Sequence, residues 1–125
     1  YSKYSSYDKV RKQYPKANLF ASGSGLHTAT DLAVKMGAKQ IIFVGADLAF
    51  PNGKLYAKNS GWGDEEIGAA QHWVLDGHGN RIPTRASFRG YLRDLEDYIE
   101  QASAEIEFLN SSKDGAEIVG ASLWE

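Results

Sequence analysis

The first cluster with chemical potential is Ser22-Gly23-Ser24-Gly25. The short apolar run Asn18-Leu19-Phe20-Ala21 precedes it and predicts a strand; Leu26, Ala29, Ala33 and Met36 follow at helical spacing. A loop between a strand and a helix start offers free backbone N–H groups and the positive end of the helix dipole, which favour an anion. Glycine lets the backbone approach a phosphate closely, and the serines add hydroxyl donors. The run lacks the Gly-Lys-Ser/Thr ending of a P-loop and is not a full dinucleotide-binding fingerprint. The same residues also suit a capped tight turn, with Ser22 or Ser24 as the N-cap. His27, in the first turn of that helix, either meets the phosphate or packs.

The second cluster is Gly45-Ala46-Asp47-Leu48-Ala49. It follows Gln40-Ile41-Ile42-Phe43-Val44, a continuous apolar run that predicts a strand buried on both faces of a parallel sheet. Ligands of open α/β sheets lie beyond the carboxyl ends of the strands. Asp47 stands there, able to accept from ribose hydroxyls, hold a metal or act as a base. The alternative is a loop carboxylate bonded to backbone N–H groups. A third feature is Arg85, Arg89 and Arg93 at i,i+4 in the first half of a long helix, with Asp94, Glu96, Asp97 and Glu100 crowding its second half. The dipole favours the reverse order by roughly 0.3–1 kcal/mol per end charge. Either an arginine such as Arg85 faces an anion, or the arginines form a solvated face with an Arg93–Asp97 pair. His72 and His78, with Asp76 between them, do not form a metal constellation. Trp62, Trp73 and Trp124 read as packing residues.

The elements that must position these groups follow from periodicity. Tyr4, Tyr7, Val10 and Tyr14 share one face of a leading helix within residues 1–16, ended by Pro15, with the lysines and arginines on its solvated side. Gly37 closes the second helix, and Asp31–Lys35 is an i,i+4 pair on it. Strand, helix and strand over residues 18–44 predict a βαβ unit. Residues 46–68 read as a long, glycine-containing loop. Residues 71–83 predict a β-hairpin turning at Asp76-Gly77-His78-Gly79-Asn80. Thr84 is the expected N-cap of a helix whose apolar stripe is Phe88, Tyr91, Leu92, Leu95, Tyr98, Ile99 and Ala102. Strands are expected at 106–109 and 117–120.

Composition bounds the function. The chain has 125 residues, 42% hydrophobic and 12% aromatic, which suits one globular α/β domain or a domain fragment over residues 1–125. Fourteen basic and sixteen acidic residues leave a net charge of −2, which does not favour nucleic acid or an anionic membrane. No apolar run reaches the ~20 residues that span a bilayer, and none reads as a signal peptide. The absence of cysteine removes disulfides, thiolate metal sites and thiol catalysis, and suits a cytoplasmic protein.

The run from Ala21 to Phe50, with Asn52-Gly53-Lys54 and Tyr56, resembles the central domain of the bacterial motility-associated factors, which glycosylate flagellin with nonulosonic acids. That domain is shared with archaeal 6-hydroxymethylpterin diphosphokinases. Gly79-Asn80, Thr84, Asn110 and Gly115-Ala116-Glu117-Ile118-Val119-Gly120 extend the likeness over about residues 18–121. A more distant likeness is to bacterial sialyltransferases that use CMP-sialic acid. Their Ser-Gly and Asp hold the nucleotide, roles that fall on Ser22, Gly23 and Asp47. Tyr56 matches one of their two phosphate-gripping tyrosines, whereas Ala49 and Phe50 stand near the other. Ile82-Pro83-Thr84 stands where they carry a histidine base.

The resemblance implies a Rossmann-like, three-layer α/β domain with a mainly parallel sheet and a small hairpin. It implies transfer of a nonulosonic sugar from a CMP donor to a protein serine or threonine. Ser22, Gly23, Ser24, Gly45, Lys54 and Arg85 would bind the nucleotide, and Asp47, His27 and Tyr56 would serve the chemistry. The resemblance implies no firm cofactor for this transfer. The second expectation is pyrophosphoryl transfer from ATP to a pterin alcohol, with Mg²⁺ on Asp47; the third is a non-catalytic nucleotide-binding or partner-binding module. The family domain has an earlier half, so this chain is expected to be its later part, joined to the remainder of a larger chain and a weak binder of CMP-sugars or ATP alone.

Overall fold

A computed structural model describes residues 6–51 and 72–125, with side chains from residue 8. Among the described residues three helices and five strands follow one another as α1 (Ser6–Gln13), α2 (Gly25–Lys35), β1 (Gln40–Phe43), β2 (His72–Leu75), β3 (Arg81–Thr84), α3 (Ala86–Ala102), β4 (Glu107–Asn110) and β5 (Ser122–Leu123). β1, β4 and β5 form a parallel sheet in that order, and β2 and β3 form a separate antiparallel hairpin. The chain is thus a mixed α/β protein with a small parallel sheet. Among the described residues, no helix is long and apolar enough to cross a membrane.

The core is one cluster between sheet and helices. Phe43 and Phe108 stack on neighbouring strands, with ring centroids 6.1 Å apart. Leu92, Leu95 and Ile99 of α3 pack against them, and Leu26 and Val34 of α2 join the edge. The expected α3 stripe therefore faces the sheet, through its aliphatic members. β1 is covered unequally on its two faces, Ile42 on the far side being half-buried. Ile41 and Phe43 turn into the cluster, whereas Val44, just past the strand, is 77% exposed.

Residues 18–21 are not a strand. Their backbone is claimed by side chains of α2 instead: the Phe20 N–H donates to Asp31 at 2.7 Å, and the Asn18 carbonyl accepts from Lys35 Nζ at 2.6 Å. The βαβ unit over 18–44 is accordingly absent. β1 takes its parallel partner from downstream, in the register Gln40↔Glu107 to Phe43↔Asn110, after the hairpin and α3 have intervened. The last strand also lies later than expected. Residues 117–120 form no strand; Ala116 bridges to Asp76, Gly120 turns at φ +91 over Ile99, and β5 follows at Ser122–Leu123.

α2 begins where it should. Ser24 caps it, its hydroxyl oxygen accepting from the Leu26 N–H, and Gly37 takes φ +90 beyond its end. Its buried face is not the small apolar one. Met36 is 79% exposed, and His27, Thr30 and Asp31 point inward. A polar face can be buried when its atoms find partners, as these do, the His27 Nδ1 atom excepted. Thr84 does not cap α3. It ends β3, and its hydroxyl donates to the Leu48 carbonyl at 2.9 Å, leaving Arg85 at the N-cap without a side-chain cap bond. α1 ends before Pro15 as expected, yet Val10 and Tyr14 are exposed, so this face is not packed against the core.

The hairpin forms as read, and Asp76 explains its turn. Its Oδ1 accepts the His78 and Asn80 N–H groups at 2.9 and 2.8 Å. Burial works against the charged carboxylate, but these donors outweigh it and hold Asp76 below the ordinary carboxylate range. Asp76→Ala strands both donors and is expected to lower the midpoint of urea denaturation.

Candidate functional site

The carboxyl ends of β1 and β4 meet in two loops that are sewn together. After β1, Gly45 takes φ +69 and its N–H donates to Ser112 Oγ at 3.1 Å. After β4, the Ser111 N–H and hydroxyl both donate to the Phe43 carbonyl. Asn110, almost fully buried, accepts the Ser112 N–H at 2.9 Å and so shapes the turn that leads to Gly115.

Asp47 stands in the middle of this junction. Its carbonyl accepts from the Ala116 N–H at 2.7 Å. Gly115 presses on it so closely that a Cβ there would lie 2.7 Å from the Asp47 Cα. Leu48, the next residue, holds φ +46, an uncommon conformation for a side chain of this kind. The carbonyl of Leu48 and the N–H of Phe50 are then tied to Thr84 and Pro83. The backbone is thus fixed on both sides of Asp47. Among the described residues, no hydrogen bond reaches its carboxylate.

The Ser-Gly loop sits elsewhere, against the middle of α3. Ser22 donates to the Asp94 carboxylate, and the Ser24 oxygen is spent on the helix cap. Gly23, at φ +76, gives the backbone room beside the Tyr91 ring, where a Cβ would come within 2.8 Å. Its missing side chain thus serves a ring contact. His27 is 1% exposed. With the Tyr91 carbonyl 2.8 Å from Nε2, that nitrogen carries the proton, and the buried Nδ1 lone pair has no partner. His27 is thus a buried side chain packed between α2 and α3. The loop is a capped turn whose anionic neighbour is the protein's own Asp94.

A chain of rings joins the two places. Phe50 meets Phe88, Phe88 meets Tyr91, Tyr91 meets His27, His27 meets Phe20 and Phe20 stacks on Tyr98, at centroid separations of 5.3 to 6.3 Å. Arg85 lies 4.0 Å over Phe88 and 6.0 Å from Phe50. Its guanidinium and the uncapped first turn of α3 therefore adjoin the loop that carries Asp47. No Arg93–Asp97 ion pair forms among the described residues. Lys54 and Tyr56 lie outside the described residues.

The expected Asp31–Lys35 pair forms, but sequence reasoning missed that it belongs to the strongest polar centre. Asp31 accepts from the Phe20 N–H at 2.7 Å, Lys35 Nζ at 2.7 Å and the Tyr98 hydroxyl at 2.8 Å. The signal is the helical spacing of His27, Thr30 and Asp31, which share one face of α2. Among the described residues, no three His, Cys, Asp or Glu side chains gather as a metal site. Compared with protein-family models, curated proteins and solved structures, the chain gives no match.

Proposed function

We propose that the junction beyond β1 and β4 is the nucleotide-facing site of a Rossmann-like glycosyltransferase domain, one that moves a nonulosonic sugar from a CMP donor to a protein hydroxyl. The observation that carries this reading is Asp47: a carboxylate at the carboxyl edge of parallel strands, held on a rigid backbone, with no hydrogen bond among the described residues. A fixed acceptor of this kind suits ribose or sugar hydroxyls. Arg85 and the uncapped α3 N-terminus supply the positive charge that a phosphate needs. The anion subsite of this proposal thus lies at α3 rather than at the Ser-Gly loop, where Asp94 would repel it.

In the proposed transfer the acceptor oxygen bonds to the anomeric carbon as the carbon–phosphate-oxygen bond breaks. CMP leaves with the electron pair, and the acceptor proton passes to Asp47 or to solvent. Residues Gly45, Gly115 and Leu48 hold the carboxylate in place for this.

Thermal unfolding of the full-length protein with CMP tests the reading. CMP at a hundred times its dissociation constant is expected to stabilise the fold by about 2.7 kcal/mol. Asp47→Ala is expected to weaken CMP binding at least about tenfold while leaving the unliganded melting temperature unchanged. Stabilisation by ATP with Mg²⁺ and not by CMP would replace this reading with pyrophosphoryl transfer. No stabilisation by either would leave a non-catalytic module.

A further inference from the structure

A groove of about 580 Å³ runs between β2 and α3, and neither Asp47 nor Arg85 lines it. Trp73 of β2 forms one wall; Arg89, Gly90, Arg93 and Glu96 of α3 form the other, and Glu117 stands at one end. Gly90 leaves its floor open, since a Cβ there would meet nothing within 4 Å.

The backbone of β2 gives this groove a character. Antiparallel partners alternate between hydrogen-bonded and non-bonded pairs. The Asp76 N–H donates to the Asn80 carbonyl at 2.8 Å, so Asp76, Val74 and His72 turn their polar groups toward β3. Leu75 and Trp73 turn theirs away. Leu75 uses its outward carbonyl to accept the Glu117 N–H at 2.8 Å. Pro83, which has no N–H, stands opposite Trp73 and turns its carbonyl outward to Phe50. The outer edge of β2 is therefore paired at Leu75. Among the described residues it is open at Trp73, a residue of the groove lining whose N–H and carbonyl point away from β3.

Charge selects the occupant. Arg89 and Arg93 are exposed, sit one helical turn apart on the groove wall, and make no ion pair among the described residues. Glu96 is engaged by the Val119 N–H at 2.8 Å, at the end where Glu117 pairs with Leu75. One end of the groove is thus basic and the other acidic.

We propose that this groove binds an extended acidic peptide by strand addition to β2. The peptide backbone pairs with Trp73, and side-chain carboxylates at alternate positions reach Arg89 and Arg93. The acidic end of the groove keeps those carboxylates at the arginine end.

The test uses a fluorescein-labelled short peptide of alternating glutamate and valine, read by anisotropy and by the shift of Trp emission. Saturable binding is expected, at least about tenfold weaker in R89E/R93E, whose exposed positions leave the fold intact by circular dichroism. Gly90→Leu, which fills the floor from a second direction, is expected to weaken it as much. A lysine–valine peptide and a backbone N-methylated acidic peptide are expected not to bind. Equal binding by R89E/R93E, or by the N-methylated peptide, would overturn the proposal, as would no saturable binding of the acidic peptide. Asp47→Ala is expected to bind the peptide normally, so failure here and failure of the transfer reading are separable.

Discussion

Replacing Asp31 with alanine is expected to destabilise the protein by about 3 kcal/mol, a large share of the ~5–15 kcal/mol typical of a domain. Three donors converge on this one carboxylate: a backbone N–H, an ammonium and a phenol. Hydrogen bonds to charged groups are each worth about 1.5–3 kcal/mol, and donors left without a partner add their desolvation cost. The loss would spread through three segments, because Asp31 joins α2, the extended 18–21 stretch and α3. Chemical denaturation of the variant checks the magnitude.

Acid and alkali give a second check on Asp31. The hydrogen bond from Lys35, followed by that from the Phe20 N–H, holds the Asp31 carboxyl below its ordinary value against the opposing effect of burial. A carboxyl lowered in the folded state stabilises above its unfolded value near 4 and loses that contribution as pH falls through the folded value. Tyr98 behaves oppositely. Burial first, then its bond to Asp31, pushes it up to about 12. Its contribution is complete below the unfolded value near 10 and is lost as pH rises toward 12. Asp31→Asn is therefore expected to flatten both limbs of a stability–pH curve. Tyr98→Phe is expected to abolish the tyrosine's alkaline limb and to weaken the acid one less than Asp31→Asn does, because its hydroxyl is one of several donors that lower Asp31.

Gly115→Ala is the second large effect. The added methyl would stand 2.7 Å from the Asp47 Cα and 2.9 Å from its Oδ1. The carboxylate oxygen can rotate aside, but the Asp47 Cα is backbone and cannot. The strand-end loop must shift as a unit, although Gly45, Leu48 and Phe50 pin it. Overpacking of this kind costs about 1–3 kcal/mol, readable as a lower urea midpoint with an unchanged slope. The same shift carries Asp47 away from its place. CMP affinity is expected to fall more than stability alone explains, which titration at a temperature where the variant is fully folded would separate.

What could be read in advance was local. The hairpin was legible because its turn chemistry sits in five adjacent residues, and α3 because its stripe repeats over four turns. The boundaries of α2 were legible from Ser24 and Gly37. Asp47 was legible as a strand-end carboxylate because the apolar run before it is unbroken. What failed was decided at a distance. Phe20 gave up strand pairing for Asp31, and Ser22 bonds a carboxylate 72 positions away. Thr84 caps no helix because the Leu48 carbonyl, 36 positions earlier, takes its hydroxyl. β5 is two residues long, too short to leave a periodic signal.

The parallel register of β1 with β4 has a consequence for synthesis. Residues 40 and 107 pair across 67 positions, so no part of the sheet can close until the end of β4 has been made. α2 and the hairpin need only near neighbours and can form first. At about 5–20 residues per second, β1 waits roughly 3–13 s for its partner. During that wait Ile41-Ile42-Phe43-Val44 is an unpaired, uncharged β-forming segment, the kind that associates between chains. The stretch that later anchors the sheet is thus the stretch through which a nascent chain is most exposed to aggregation.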